Sequence, residues 1–120
     1  MSHLTSARHC AAAAMLAAAA AAAAAATGAG PGEPSQGRRA ELKQLVVQEC
    51  GSCHGLRLTG GLGSPLTAAR AAPRPSQVLA AVIGSGRPGT AMPGWNAFIT
   101  ETEIDWIVAQ LLAGAFVDER

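Results

Sequence analysis

Aromatic residues are scarce in this chain of 120 residues, and tyrosine is missing altogether. The four present are Trp95, Phe98, Trp106 and Phe116, too few for the stacking platforms that bind single-stranded nucleic acids. Charge is also thin, at 14% of residues with a net +1, so there is no basic stripe of the kind that tracks a phosphate backbone. Length excludes a (β/α) barrel and a dinucleotide-binding sheet. Neither an alternating strand pattern nor an internal repeat is found. The hydrophobic fraction of 49% misleads, because 14 of the 16 residues from 11 to 26 are alanine. Beyond Ala26, 94 residues remain, of which 39 are apolar and 13 of those alanine. A core that small usually needs a staple or a cofactor.

The alanine-rich run reads as an address. Arg8, with His3 and His9 nearby, precedes an apolar stretch from Cys10 to Ala26, closed by Thr27, Gly28, Gly30 and Pro31. A basic start, a short apolar run and an Ala-x-Ala exit describe a secretory signal peptide over residues 1–26, cleaved near Ala26. The alternatives are an uncleaved anchor or a plain alanine-rich helix, but the run is short for a membrane span and alanine is weakly apolar. Cys10 follows Ala7-Arg8-His9, a poor context for a lipid-modified cysteine. The expected location is the periplasm, with no stable membrane anchor after cleavage. The remaining chain then holds two cysteines, Cys50 and Cys53, one histidine, His54, and one methionine, Met92.

Residues 27–39 read as a flexible leader rich in glycine and proline. From Ala40 the pattern turns helical, with Leu42, Leu45 and Val46 on one face up to Cys50. Residues 55–75, rich in glycine and proline, are expected as an irregular loop, long enough to wrap around something. Ser76 is expected to cap a short helix through Val78, Leu79, Val82 and Ile83, with Gly84 as its stop. A second glycine- and proline-rich loop spans Gly86 to Gly94. The clearest helix follows: Thr100 and Glu103 form a capping box, and Ile104, Ile107, Val108, Leu111 and Leu112 recur at helical spacing up to Gly114. The fold class is all-α, with three main helices and long loops in a domain of residues 40–116, then a tail at 117–120.

Cys50-Gly51-Ser52-Cys53-His54 is C-x-x-C-H, the attachment motif for haem c. Two thiols three residues apart can reach the two vinyl groups on one side of a porphyrin, and a histidine immediately after them can ligate the iron. A thioredoxin-like redox pair wants this spacing at a strand-to-helix turn, whereas here a helix precedes it. A structural zinc site wants four ligands, and the chain beyond Ala26 has three. A disulfide between Cys50 and Cys53 would leave His54 unexplained. For the second axial position Met92 is the candidate, in a loop between Thr90-Ala91 and Pro93-Gly94. The alternative is a methionine filling a gap in the core. Thioether ligation favours ferrous iron and raises the potential. With both axial positions filled, no open site is left for a substrate, which argues for electron transfer and against catalysis.

A helix ending in C-x-x-C-H, a methionine in a proline-containing loop and a C-terminal amphipathic helix together resemble a class I cytochrome c over residues 38 to 116. The resemblance implies that the first and last helices cross near one covalently bound haem c. Leu42, Leu45 and Val46 would pack there on Ile107, Val108 and Leu111, with Trp106 close by. Three further blocks are Cys50 to Gly55 with Gly60-Gly61-Leu62-Gly63, Gly86 to Trp95, and Trp106-Ile107-Val108. Together they are similar to the small monohaem cytochromes of NirC type found with the haem-c/haem-d dissimilatory nitrite reductase. That likeness implies a periplasmic donor of single electrons to the reductase in denitrification, or an assembly factor for loading its haem d. A general respiratory shuttle is a third reading. It also implies the cytochrome c maturation machinery as a partner.

Class I cytochromes place Gly-Pro-x-Leu after the haem motif, with the proline carbonyl accepting from the ligand histidine. Here the stretch is Gly63-Ser64-Pro65-Leu66, which by position makes the Ser64 carbonyl the expected acceptor. Arg57, Arg87 and Trp95 are candidates for the haem propionates because each offers N–H donors. The alternative for the arginines is a solvated surface charge, and for Trp95 plain packing on the porphyrin edge. Residues 38–87 carry seven basic and two acidic side chains, and residues 88–120 one basic and five acidic. Such a dipole does not steer partners as a single-sign field does. The expected docking face is small and partly apolar, as suits a transient redox contact.

Overall fold

The computed structural model describes residues 32–116; the signal segment, residues 27–31 of the leader and the tail at 117–120 lie outside the described residues. Among the described residues there is no strand, as expected for an all-α chain. Helix α1 spans Gln36–Leu45 and runs into a π-helical turn, Val46–Cys50, and then a short helix α2, Gly51–His54. A four-residue helix α3 (Ala68–Ala71), helix α4 (Ser76–Ser85) and helix α5 (Glu101–Ala113) follow.

Several boundaries differ from the sequence-based expectation. Helix α1 begins at Gln36 and not at Ala40, because the Ser35 hydroxyl accepts from the Arg38 amide at 3.3 Å and the Ser35 carbonyl from the Arg39 amide at 2.8 Å. Residues 36–39 therefore belong to the helix and not to the leader. Ser76 does not cap α4; Pro75 occupies the cap position without a side-chain bond, and Ser76 is the first helical residue. The stop is Gly86 with φ +73°, two residues beyond Gly84. Gly84 is instead a packing site, since a Cβ there would come within 2.5 Å of the Asn96 side-chain oxygen. The long loop after His54 contains α3, which the small residues Ala68, Ala69 and Ala71 permit without any amphipathic signal.

Helix α5 forms as its sequence dictates. The Thr100 hydroxyl accepts from the Glu103 amide at 3.3 Å, and Glu103 Oε2 accepts from the Thr100 amide at 2.8 Å, a complete capping box. Gly114 ends the helix in the left-handed conformation, φ +72°. The buried side of α5 supplies Ile104, Trp106, Ile107, Val108 and Leu111 to a core that also holds Leu42, Val46, Leu58, Ile99 and Phe116. Helices α3 and α4 pack on α5, and the first helical run joins the core through Leu42 of α1 and Val46 of the π-helical turn. Arg38 Nε donates to Glu103 Oε1 at 2.6 Å, tying the start of α1 to the first turn of α5. Trp106 and Phe116 meet edge to face at 6.3 Å. No helix among the described residues is long and apolar enough to cross a membrane.

Candidate functional site

The helical run from Gln36 to His54 delivers both cysteines and the histidine at its C-terminal end. The π-helical turn runs into the motif and ends on its first cysteine, and such turns are frequent at functional positions. What comes next holds the ring of His54 in place. The chain reverses at Gly55 (φ +87°), where a Cβ would lie 2.5 Å from the Gly60 carbonyl oxygen. The amides of Gly60 and Gly63 then donate to the His54 and Cys53 carbonyls, both at 2.8 Å, which satisfies two carbonyls left open at the helix end. This brings the backbone of Gly63 so near the imidazole that a Cβ would sit 2.7 Å from Nδ1. The Ser64 carbonyl oxygen is 2.6 Å from His54 Nδ1. A carbonyl only accepts, so Nδ1 carries the proton and Nε2 of the neutral ring keeps its lone pair free.

Met92 is positioned by a hydrogen-bonded loop. The Arg87 carbonyl accepts from the Thr90 amide at 3.1 Å and from the Thr90 hydroxyl at 2.7 Å. The Met92 amide donates back to the Thr90 hydroxyl at 3.3 Å, and the Met92 carbonyl accepts from the Arg87 amide at 3.2 Å. At Gly86 a Cβ would collide with the Met92 carbonyl oxygen and the Gly94 amide, each at 2.7 Å. The Trp95 amide donates to the carbonyls of Ile83 and Gly84, at 3.0 and 2.9 Å. This anchors the far end of the loop on α4.

Cys50, Cys53, His54, Ser64, Met92, Arg87 and Trp95 line one cavity of about 690 Å³, within the size range of sites for small molecules and cofactors. Its remaining wall is mainly apolar, with Leu45 and Val46 from the first helical run, Leu79, Val82 and Ile83 from α4, and Ile107 and Leu111 from α5. Arg57 is not part of the lining. The cavity also has Arg70 and Arg74, which the sequence reading passed over. Arg74 Nη1 donates to the Arg70 carbonyl at 2.8 Å. The only signal available for them was a pair of arginines four apart in an alanine- and proline-rich stretch. None of Arg70, Arg74 and Arg87 is in an ion pair among the described residues, and Glu49 is the only acid in the lining.

Burial, reinforced by Glu49, pushes the Cys50 thiol up to about 11. A dithiol redox centre needs a lowered value, so this environment speaks against thioredoxin-like chemistry. No group of three or more His, Cys, Asp or Glu residues that could hold a bare metal ion exists among the described residues. What suits the cavity is a large flat apolar group, tethered at the cysteines, with a metal for the His54 lone pair and acidic substituents for the arginines.

Comparison with known proteins agrees. A family model described as cytochrome c oxidase, cbb3-type, subunit III matches residues 37–111. The chain belongs to this family of c-type cytochromes. This cytochrome is 56% identical over 81 residues to cytochrome c55X of Paracoccus denitrificans (strain Pd 1222), an alignment that spans 68% of the chain and 79% of the relative. With cytochrome c55X of Stutzerimonas stutzeri it shares 53% over 81 residues, 68% of the chain and 72% of the relative. A solved structure of a c-type cytochrome NirC superposes with a TM-score of 0.68 at 43% identity, covering 69% of this chain and 98% of that one. The fold is that of a class I cytochrome c, and the protein is an electron carrier of the haem c type.

Proposed function

We propose that this cytochrome is a periplasmic carrier of single electrons, without enzymatic activity of its own, that donates to a haem-c/haem-d nitrite reductase. The observation that carries the reading is a single cavity in which Met92 and a His54 with a free Nε2 both stand in the lining. Cys50 and Cys53 would tether one haem c by thioether bonds, a step that needs the cytochrome c maturation machinery. His54 Nε2 and Met92 Sδ would ligate the haem iron. Haem c, when bound, supplies a ferrous/ferric couple that exchanges one electron without making or breaking bonds. The chain keeps water out with the side chains of Leu79, Ile83, Ile107 and Leu111. It holds the His54 proton on Nδ1 through the Ser64 carbonyl, and so fixes the tautomer and orientation of the ligand. Arg70, Arg74 and Arg87 would face the two propionates, and with Glu49 that balances the charge of the cavity.

The likeness to the c-type cytochrome NirC and the exit signal read at residues 1–26 support the partner and the compartment. Stopped-flow oxidation of the reduced, haem-loaded protein by purified haem-c/haem-d nitrite reductase tests the donor role. Fast, saturable oxidation with modest salt dependence is expected. Slow oxidation, with other periplasmic acceptors reacting well, would leave the carrier intact and move its role to a general shuttle or to assembly of the reductase.

A further inference from the structure

Phe98 is the least explained side chain of the fold. It is 72% exposed, yet it is held firmly: its amide donates to the Trp95 carbonyl at 2.9 Å, and the next amide, of Ile99, donates to the same carbonyl at 3.1 Å. Ile99, next in the chain, is buried. The backbone of the turn is therefore fixed, which limits the ordering left to be done when the ring meets a partner. Behind it stands Trp95, edge to face at 5.8 Å and 62°. Trp95 lines the haem cavity, whereas Phe98 does not. The two rings thus join the cavity wall to the surface. Close by in the chain, Glu101 and Asp105 at the start of α5 are exposed and in no ion pair among the described residues. Arg70, Arg74 and Arg87 line the cavity instead, and Arg38, the cation at the first turn of α5, is already paired with Glu103 and Glu41. The stretch from Phe98 to Asp105 therefore carries an exposed aromatic ring and unpaired negative charge.

We infer that Phe98, backed by Trp95 and bordered by Glu101 and Asp105, is a docking face for a redox partner that presents an apolar depression edged by cations. This deepens the carrier reading but does not depend on which reductase is served. An exposed aromatic side chain on a fixed turn is the kind of residue that dominates a small interface, and the flanking carboxylates select the sign of the partner's charge.

A small-molecule partner of that chemistry makes the test independent of the reductase. Tris(phenanthroline)cobalt(III) is cationic with an aromatic shell; hexacyanoferrate(III) is anionic and polar. Each takes one electron from the reduced, haem-loaded protein, whose iron goes from ferrous to ferric while cobalt(III) becomes cobalt(II) or hexacyanoferrate(III) becomes hexacyanoferrate(II). Phe98→Ala is expected to slow the cobalt reaction about five- to tenfold, and Phe98→Tyr to restore it. The hexacyanoferrate rate and the reduction potential should stay at the wild-type values. Glu101→Gln with Asp105→Asn should flatten the salt dependence of the cobalt reaction alone. In nuclear magnetic resonance of the ferrous protein, the redox-inert tris(phenanthroline)chromium(III) should broaden the signals of Phe98 and Glu101. An unchanged cobalt rate in Phe98→Ala would overturn the inference. So would equal slowing with both oxidants, or broadening confined to the Arg70–Arg74 side. A wild-type protein oxidised by neither complex would overturn the carrier reading itself.

Discussion

Replacing Gly63 by alanine tests how the protein holds its histidine. The new Cβ would stand 2.7 Å from His54 Nδ1 and 2.8 Å from Cε1, against an ordinary contact that begins near 3.4 Å. The shortfall of 0.7 Å must come from the ring or from the loop. Moving the ring breaks the bond from Nδ1 to the Ser64 carbonyl, 2.6 Å. Moving the loop breaks the bond from the Gly63 amide to the Cys53 carbonyl, 2.8 Å. Overpacking costs about 1–3 kcal/mol and a lost hydrogen bond about 1 kcal/mol, so a loss of about 2–4 kcal/mol is expected. For a domain of this size that lowers Tm on the order of 10 °C or more. Gly37→Ala is the control: it lies in α1 with nothing within 4 Å of the added atom. There the same substitution should raise stability by about 0.5–1 kcal/mol through backbone entropy. Urea and thermal unfolding of the haem-loaded variants, followed by circular dichroism and haem absorption, measure both. Wild-type stability in Gly63→Ala, with an unaltered haem spectrum, would refute the proposed clamp on His54.

Thr100→Ala removes the capping box of α5 and is expected to cost about 1 kcal/mol in urea unfolding, without moving the reduction potential. The hydrogen bond from Arg38 holds the Glu103 carboxyl below its ordinary value. Its contribution to stability is therefore complete above the unfolded-state value of 4.5 and is lost as pH falls through the lower folded value. Glu103→Gln should remove that part of the acid sensitivity, and an unchanged stability profile between neutral pH and acid would contradict the assignment. Arg74→Gln takes a cation from the haem cavity, which favours the ferric charge. Its reduction potential should fall, as read by redox titration, and a value equal to the wild type would remove Arg74 from the propionate role.

Those parts of the molecule written in local chemistry were legible in the sequence. Thr100 and Glu103 identify the start of α5 because a capping box needs only residues three apart, and the spacing of Ile104 to Leu112 identifies its buried face. The C-x-x-C-H motif is local in the same sense. Parts that depend on distant contacts were not legible. Gly84 looks like a helix stop by composition, but its small size answers to the Asn96 side chain packed against it. Leu58 has a left-handed backbone, φ +54°, and is fully buried, a combination that its neighbours in the sequence do not announce. Arg57 and Arg74 are indistinguishable as residue types. Both are exposed, and only the path of the loop through α3 brings Arg74 and not Arg57 to the cavity. The early start of α1 was hidden because Ser35 lies among glycine and proline residues that suggest a leader.

Carbon monoxide binding measures most directly whether His54 and Met92 both ligate the haem iron. If Met92 ligates the iron as proposed, the reduced, haem-loaded wild-type protein at neutral pH should bind carbon monoxide poorly. Met92→Ala should bind it readily, with an altered ferric spectrum and a lower reduction potential. Ready binding by the wild type, or a ferric spectrum unchanged in Met92→Ala, would contradict the ligand assignment and the closed, electron-carrying site built on it.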